Sequence, residues 1–260
     1  MIPKIIHYSW FSGEPYPDDL QRCMDTWPRV LPDYELRLWD GRALREIGNT
    51  FANEAADMRK WAFAADFLRL YAVHRYGGIW LDTDVEMFRS FDRFLNDPMF
   101  IGREYYVSHD GGRDTCALTA HCFGAEAGHP FVEECLEYYE RRHFIRSRNE
   151  RLPEQLRYDM TIIPRLMQAI AEREGYDASA RHNAEQTLAC GIHIYPYQWF
   201  DQPGYTSMSN VVCIHRVAQS WNPTFGNKGI NKQATDLKHK NLSYYKMQTQ
   251  QALIRWIRKL

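Results

Sequence analysis

The 260 residues are 45% hydrophobic and 14% aromatic, enough to fill a substantial core in one large domain or two small ones, which excludes a disordered chain. Lys and Arg total 32 against 33 Asp and Glu, so no strongly basic nucleic-acid footprint is expected and any charged ligand must be met by local groups. The six cysteines, at 23, 116, 122, 135, 190 and 213, form no C-x-x-C pair and read as buried thiols in a reducing compartment. The N-terminus lacks a basic-then-apolar leader and no window approaches the roughly 18 apolar residues of a membrane span, so the chain reads as cytoplasmic.

In chain order, Ile5 to Tyr8 predict a short first strand that ends in the Gly13, Pro15, Pro17 loop, and Asp18 and Asp19 favour a helix start. Tyr34 to Trp39 alternate, with Tyr34, Leu36 and Leu38 on one side and Glu35 and Arg37 on the other, which predicts a second strand before the Asp40-Gly41 turn. From about Asn53 to Tyr76, the spacing of Trp61, Ala65, Leu68 and Ala72 predicts one helix packed on a sheet. Gly77-Gly78 stop it, and Ile79-Trp80-Leu81 is a third strand with Asp82-Thr83-Asp84 at its carboxyl end, the edge where open α/β sheets bind ligands.

A further strand is expected near Met99 to Gly102, a loop from Ser108 to Thr115, a helix opened by Pro130 and running to Tyr139, another over Pro164 to Glu174, and a strand around His193 to Tyr195. Trp199 to Phe225 reads as an aromatic loop. No repeat or long linker divides the chain, so residues 1–240 are expected to form one catalytic domain and 241–260 a basic amphipathic helix. Beginning near Lys240, that helix either rests on an anionic membrane surface or docks on the core.

A bare D-x-D is weak, because 17 aspartates in 260 residues should produce about one such triplet by chance. The context is informative: both carboxylates end a rigid apolar strand, two residues apart, and could turn toward one ligand. Two hard oxygen donors beside a diphosphate suit Mg²⁺ or Mn²⁺.

The stretches Ile2 to Trp10, Ala65-Asp66-Phe67-Leu68-Arg69 and Tyr76 to Val85 together resemble the DXD-motif sugar-binding glycosyltransferases. That group includes bacterial capsular and lipopolysaccharide enzymes and the yeast outer-chain mannosyltransferase, with the clostridial glucosylating toxins more distant. The resemblance covers about the first 90 residues and returns at His215 to Trp221.

It implies an α/β GT-A fold, a single Rossmann-like mixed sheet flanked by helices, and retaining, metal-dependent transfer of a hexose or N-acetylhexosamine. The donor would be a nucleotide sugar, a UDP-sugar by analogy, and the acceptor a saccharide or lipid-linked saccharide of a surface polysaccharide, with peripheral contact at the inner membrane. It implies Asp82, Asp84 and His215 as ligands of Mn²⁺ or Mg²⁺, and His7, Trp10, Asp66, Arg69, Ser220 and Trp221 as the donor site, Trp10 stacking on the base. Asp110, Asp114, His121 and Glu126 fall where relatives shape the acceptor pocket. The sequence departs from the family where Ala65 replaces a usual Ser, and at Thr161-Ile162-Ile163-Pro164.

Two other classes stay open on the residues alone. A haloacid-dehalogenase-like phosphohydrolase would use the first Asp of the strand-end triplet as nucleophile, although here the triplet follows 80 residues and Glu86 stands where Thr or Val is usual. A non-catalytic nucleotide-sugar binding module would bind without turnover.

Overall fold

The computed structural model of the chain describes residues 1–110, 113–201 and 208–216. Strand β1 (Ile5–Ser9) leads through a loop to helices α1 (Asp18–Met24) and α2 (Trp27–Val30), then to β2 (Glu35–Trp39). Asp18 and Asp19 occupy the first turn of α1, where carboxylates complement the helix dipole. Helix α3 (Gly41–Ile47) is capped by Asp40, whose carboxylate accepts the Ala43 N–H at 2.8 Å. Helix α4 (Thr50–Asp57) is capped likewise by Asn49 onto Ala52 at 2.9 Å.

The single helix expected from Asn53 to Tyr76 is two, because the chain turns at Met58 to Lys60, with Arg59 at φ 54°, before α5 (Trp61–Tyr76). The turn lets the apolar side of α4, Phe51, Ala52, Ala55 and Ala56, fold back onto α5, which a straight helix forbids. Helix α5 buries Ala65, Leu68 and Ala72 as their spacing required.

Beyond α5 come β3 (Gly78–Leu81), β4 (Val85–Met87), β5 (Met99–Asp110) and β6 (Arg113–Ala125). The loop expected from Ser108 to Thr115 is instead the end of a long hairpin, with Ser108 opposite Thr115 and Asp110 opposite Arg113. Glycine and aspartate suggested a loop; cross-strand pairing, a tertiary effect, overrides that preference. The remaining elements are α6 (Pro130–Glu137), α7 (Glu154–Arg157), α8 (Ile163–Arg173), β7 (Gln186–Thr187), β8 (Ile192–Tyr195), α9 (Tyr197–Phe200) and β9 (Cys213–His215). The aromatic stretch read as a loop therefore contains a helical turn and a strand.

Seven strands form one mixed sheet in the order β2-β1-β3-β6-β5-β8-β7, and β4 pairs with β9 in a second, small sheet. Strands β2, β1 and β3 are parallel, and β6 joins β3 antiparallel. One face of the main sheet packs on α4, α5, α6 and α8 through residues such as Trp80, Met99, Ile101 and Phe123. The other holds Ile6, Trp27, Ile79, Leu81, Phe91, Phe94, Phe100 and Phe200. This is the expected α/β architecture.

On the edge strand β2, Leu36 and Leu38 are 40% and 45% exposed while Tyr34 just before it is buried. Gly77 and Gly78 stand at φ +64° and +104° in the switch from helix to strand, and a Cβ on Gly78 would lie 2.7 Å from the Ile5 carbonyl oxygen. No helix among the described residues is long and apolar enough to cross a membrane.

Candidate functional site

Because β1 and β3 run parallel, both end at the same edge, and β3 delivers Asp82 there. The Asp82 N–H still donates to the His121 carbonyl at 2.9 Å, but the Val85 N–H then donates to the Asp82 carbonyl at 3.0 Å, so Asp82 to Val85 form a turn. The two carboxylates come together through this turn rather than through the two-residue repeat of a strand. Strand β4 follows at once, and its antiparallel register with β9 sets Val85 opposite His215. Asp84 Oδ2 and His215 Nε2 are consequently 3.3 Å apart, although 131 positions separate them in the chain. Ligand atoms of Asp82, Asp84 and His215 lie within 4.8 Å of one another. Two carboxylates and an imidazole form a donor set that fits Mn²⁺ or Mg²⁺, the imidazole favouring Mn²⁺.

Asp82 is held from two sides. The Trp80 indole N–H donates to Oδ1 at 2.7 Å, and the Arg69 guanidinium approaches Oδ2 at 3.5 Å. Arg69 also pairs with Asp66 at 3.0 Å, one helical turn away, and donates to the Ala120 carbonyl at 2.6 Å. Both members of the Asp66–Arg69 pair are buried, so it is not a surface ion pair. Burial pushes the Asp66 carboxyl up to about 7, with Arg69 pulling it back and the Ile163 N–H bonding it from the start of α8. Burial opposes the charge on Arg69, but Asp82 and Asp66 outweigh it and hold the guanidinium firmly protonated.

Behind His215 lies a second layer. Its Nδ1 faces Asp201 Oδ1 at 4.0 Å and its backbone N–H donates to the Asp201 carbonyl at 3.1 Å. Asp201 is 2% exposed and accepts the Tyr105 N–H on Oδ2 at 2.6 Å. The His121 ring stacks on His215 with centroids 4.0 Å apart and donates from Nε2 to the Phe200 carbonyl at 2.8 Å. Burial works against a charged His215, but Asp84 and Asp201 reverse the balance and raise it to about 9. Burial lifts Asp201 to about 6 against the pull of His215, and drives His121 well below the usual imidazole range. Burial, reinforced by Asp201, lifts Glu104 to about 8. His121, Asp201 and His215 form a second group with metal-ligand spacing, sharing His215 with the first.

The sequence-expected residues divide. Asp66, Arg69, Asp82, Asp84 and His215 assemble at one place. Trp10 follows β1 at the same edge, its indole N–H donating to the Glu14 carbonyl at 2.7 Å and its ring packed against Tyr16. His7 does not face a donor site. It is fully buried, accepting the Trp39 indole N–H on Nδ1 at 3.2 Å and donating from Nε2 to the Gly77 carbonyl at 2.8 Å. Both ring nitrogens are engaged within the protein, and the residue ties β1 to β2 and to the end of α5. His121 sits under His215 rather than in a separate acceptor segment. Ser220, Trp221 and residues 241–260 lie outside the described residues.

Asp201, Glu104 and Trp80 were not identified from the sequence as parts of this site. Trp80 carried a usable signal, since a tryptophan two residues before a strand-end Asp can reach its carboxylate; Asp201 followed an aromatic run and carried none.

Residues 17–101 match the family model described as glycosyltransferase sugar-binding region containing DXD motif. Over 135 residues the chain is 31% identical to inositol phosphoceramide mannosyltransferase 3 of Schizosaccharomyces pombe, a match covering 50% of this chain and 35% of that protein. A mannosyl phosphorylinositol ceramide synthase of Saccharomyces cerevisiae is 27% identical over 159 residues, 56% of this chain and 38% of its own length. The chain thus spans little more than a third of these curated relatives. The solved PaToxG glycosyltransferase aligns with 67% of this chain and 69% of its own at 16% identity, with a TM-score of 0.44. The resemblance read from the motifs holds over residues 17–101, the stretch that matches the DXD-motif sugar-binding region of these glycosyltransferases.

Proposed function

We propose that the protein is a metal-dependent glycosyltransferase that moves a hexose from a nucleotide sugar to a hydroxyl of a saccharide or lipid-linked acceptor. The observation that carries this reading is the convergence of Asp82, Asp84 and His215 within 4.8 Å at the carboxyl edge of β3. When bound, a divalent cation there supplies charge neutralisation to the departing diphosphate. Asp82 is fixed for that task by the Trp80 indole and by Arg69. Asp66 and Arg69 form the polar floor beneath the donor sugar, and Trp10 offers a ring to the base. In the reaction the bond from the anomeric carbon to the diphosphate breaks, a bond to the acceptor oxygen forms, and the acceptor hydroxyl loses its proton. Retention at the anomeric carbon follows the resemblance.

The names of the curated relatives point to mannose as the first sugar to test and to an inositol-phosphate lipid as the first acceptor, ahead of the surface polysaccharide expected from the sequence. All six thiols are unpaired, which supports action in the cytoplasm.

The test is a panel of nucleotide sugars, assayed for hydrolysis and transfer with Mn²⁺, with Mg²⁺ and with chelator. Metal-dependent release of nucleoside diphosphate from one donor is expected. Donor binding without turnover would make the chain a binding module, and turnover untouched by chelation would remove the metal from the reading.

A further inference from the structure

Residues 141–157 gather six arginines, at 141, 142, 146, 148, 151 and 157, against Glu150 and Glu154, in a chain whose net charge is −1. This segment has an apolar root. Phe144 is fully buried, stacked on Tyr158 with centroids 5.1 Å apart and packed on Phe51 and Phe63. Arg146 and Ser147 donate their N–H groups to the Arg157 carbonyl at 2.8 and 3.1 Å, Ile145 bridges to Tyr158, and the Asp159 N–H closes on the Phe144 carbonyl at 2.7 Å. The arginines therefore stand on a pinned hairpin.

Its place is beside the candidate site. Lys60, immediately before α5, holds Glu154 at 2.8 Å, and the chain leaving the hairpin reaches Ile163, whose N–H bonds Asp66. Three of the arginines have partners within the protein: Arg146 pairs with Asp159 at 2.9 Å, and Arg142 and Arg157 lie over the rings of Tyr138 and Tyr158. Arg141, Arg148 and Arg151 are exposed, and none has a carboxylate within 4 Å among the described residues. Five residues after Arg151, on α7, Leu156 is 60% exposed, more than any other described large apolar side chain except Met1. With six arginines against Glu150 and Glu154, the segment carries a net positive charge next to this outward leucine. Exposed guanidinium groups and an outward apolar side chain on one hairpin match the phosphate layer and the acyl boundary of a bilayer.

Resting on the reading of a lipid-borne acceptor, we propose that the 141–157 hairpin docks the protein on an anionic lipid bilayer. The arginines meet headgroup phosphates and Leu156 enters the interface, which brings a membrane-borne acceptor to the neighbouring sheet edge.

The test is sedimentation of the full chain with vesicles of phosphatidylcholine alone, or with about a third anionic phosphatidylglycerol. Wild type is expected to bind the anionic vesicles only, and to release at high salt. Arg148→Glu combined with Arg151→Glu should cut partitioning roughly tenfold or more, and Leu156→Gln by less. Both variants should keep their melting temperature and their metal-dependent hydrolysis of the donor without vesicles. Undiminished partitioning of the double variant, or equal binding to neutral vesicles, overturns the proposal. So does saturable binding of soluble inositol phosphate that the double variant loses, since the hairpin would then hold a free phosphate rather than a surface. If wild type binds vesicles through these arginines but turns over no nucleotide sugar, the transferase reading fails and the docking surface stands.

Discussion

Two buried histidine corners, one at His7 and one at His215, show how neighbours decide what the same side chain does. His7 lies between an indole N–H and a backbone carbonyl, both neutral, so burial dominates and lowers its pKa to about 4. His215 is also drawn inward, yet Asp84 and Asp201 flank it and its pKa rises to about 9. The first corner satisfies every polar atom of the ring and leaves nothing to offer a ligand. The second concentrates carboxylates that a proton can neutralise only in part, which is the condition under which a divalent cation binds well. Closure marks structure at His7, and uncompensated negative charge marks the candidate site at His215.

The comparison can be tested most severely at Asp84. Asp84→Asn is nearly isosteric, and should lower metal-dependent turnover about a thousandfold while leaving the fold intact. Full activity in that variant would strip the His215 corner of its proposed chemistry. At the other corner, Gly78→Ala places a Cβ 2.7 Å from the Ile5 carbonyl oxygen and 3.1 Å from His7 Nε2, at φ +104°. It should cost about 3 kcal/mol in denaturant unfolding; a loss well under 1 kcal/mol would mean that this corner is not rigid.

The two histidines should also give stability opposite dependences on pH. For His7 the folded pKa, about 4, lies below the unfolded value of 6.5, so its contribution is complete above 6.5 and fades as pH falls toward 4. That limb amounts to roughly 3 kcal/mol, and His7→Gln should flatten it. For His215 the folded pKa is raised to about 9, so its contribution without metal is complete below 6.5 and is lost as pH rises through 9. Unfolding free energies of wild type and His215→Gln across that range provide the check, and parallel curves would refute the assignment. The smallest effect is expected at Asp201, which faces Nδ1 of His215. Asp201→Asn should weaken Mn²⁺ binding roughly tenfold, read by calorimetric titration, because it removes the charge orienting and polarising the imidazole.

Much of this was legible from local pattern. Gly77-Gly78 and the apolar triplet after them announced the strand that presents Asp82, and the i, i+3 spacing of Asp66 and Arg69 announced their pairing. The alternation of Tyr34 to Trp39 announced a strand but not its place at the sheet edge, where Leu36 and Leu38 stay exposed. The 108–115 hairpin was hidden by glycines that favour turns, because its strands are stabilised by each other and not by their own composition.

What the sequence alone determined is a chain with the core of an α/β domain and a D-x-D set at a strand end beside an acid–arginine pair, because these depend on spacings of one helical turn or one strand. The tertiary structure alone decided that His215 meets Asp84 while His7 meets only the Trp39 indole and the Gly77 carbonyl. It also decided that Asp201 backs the site. The His215–Asp84 and His7–Gly77 pairings join positions far apart in the chain, and charge and burial act on distance in space, which the order of residues does not record.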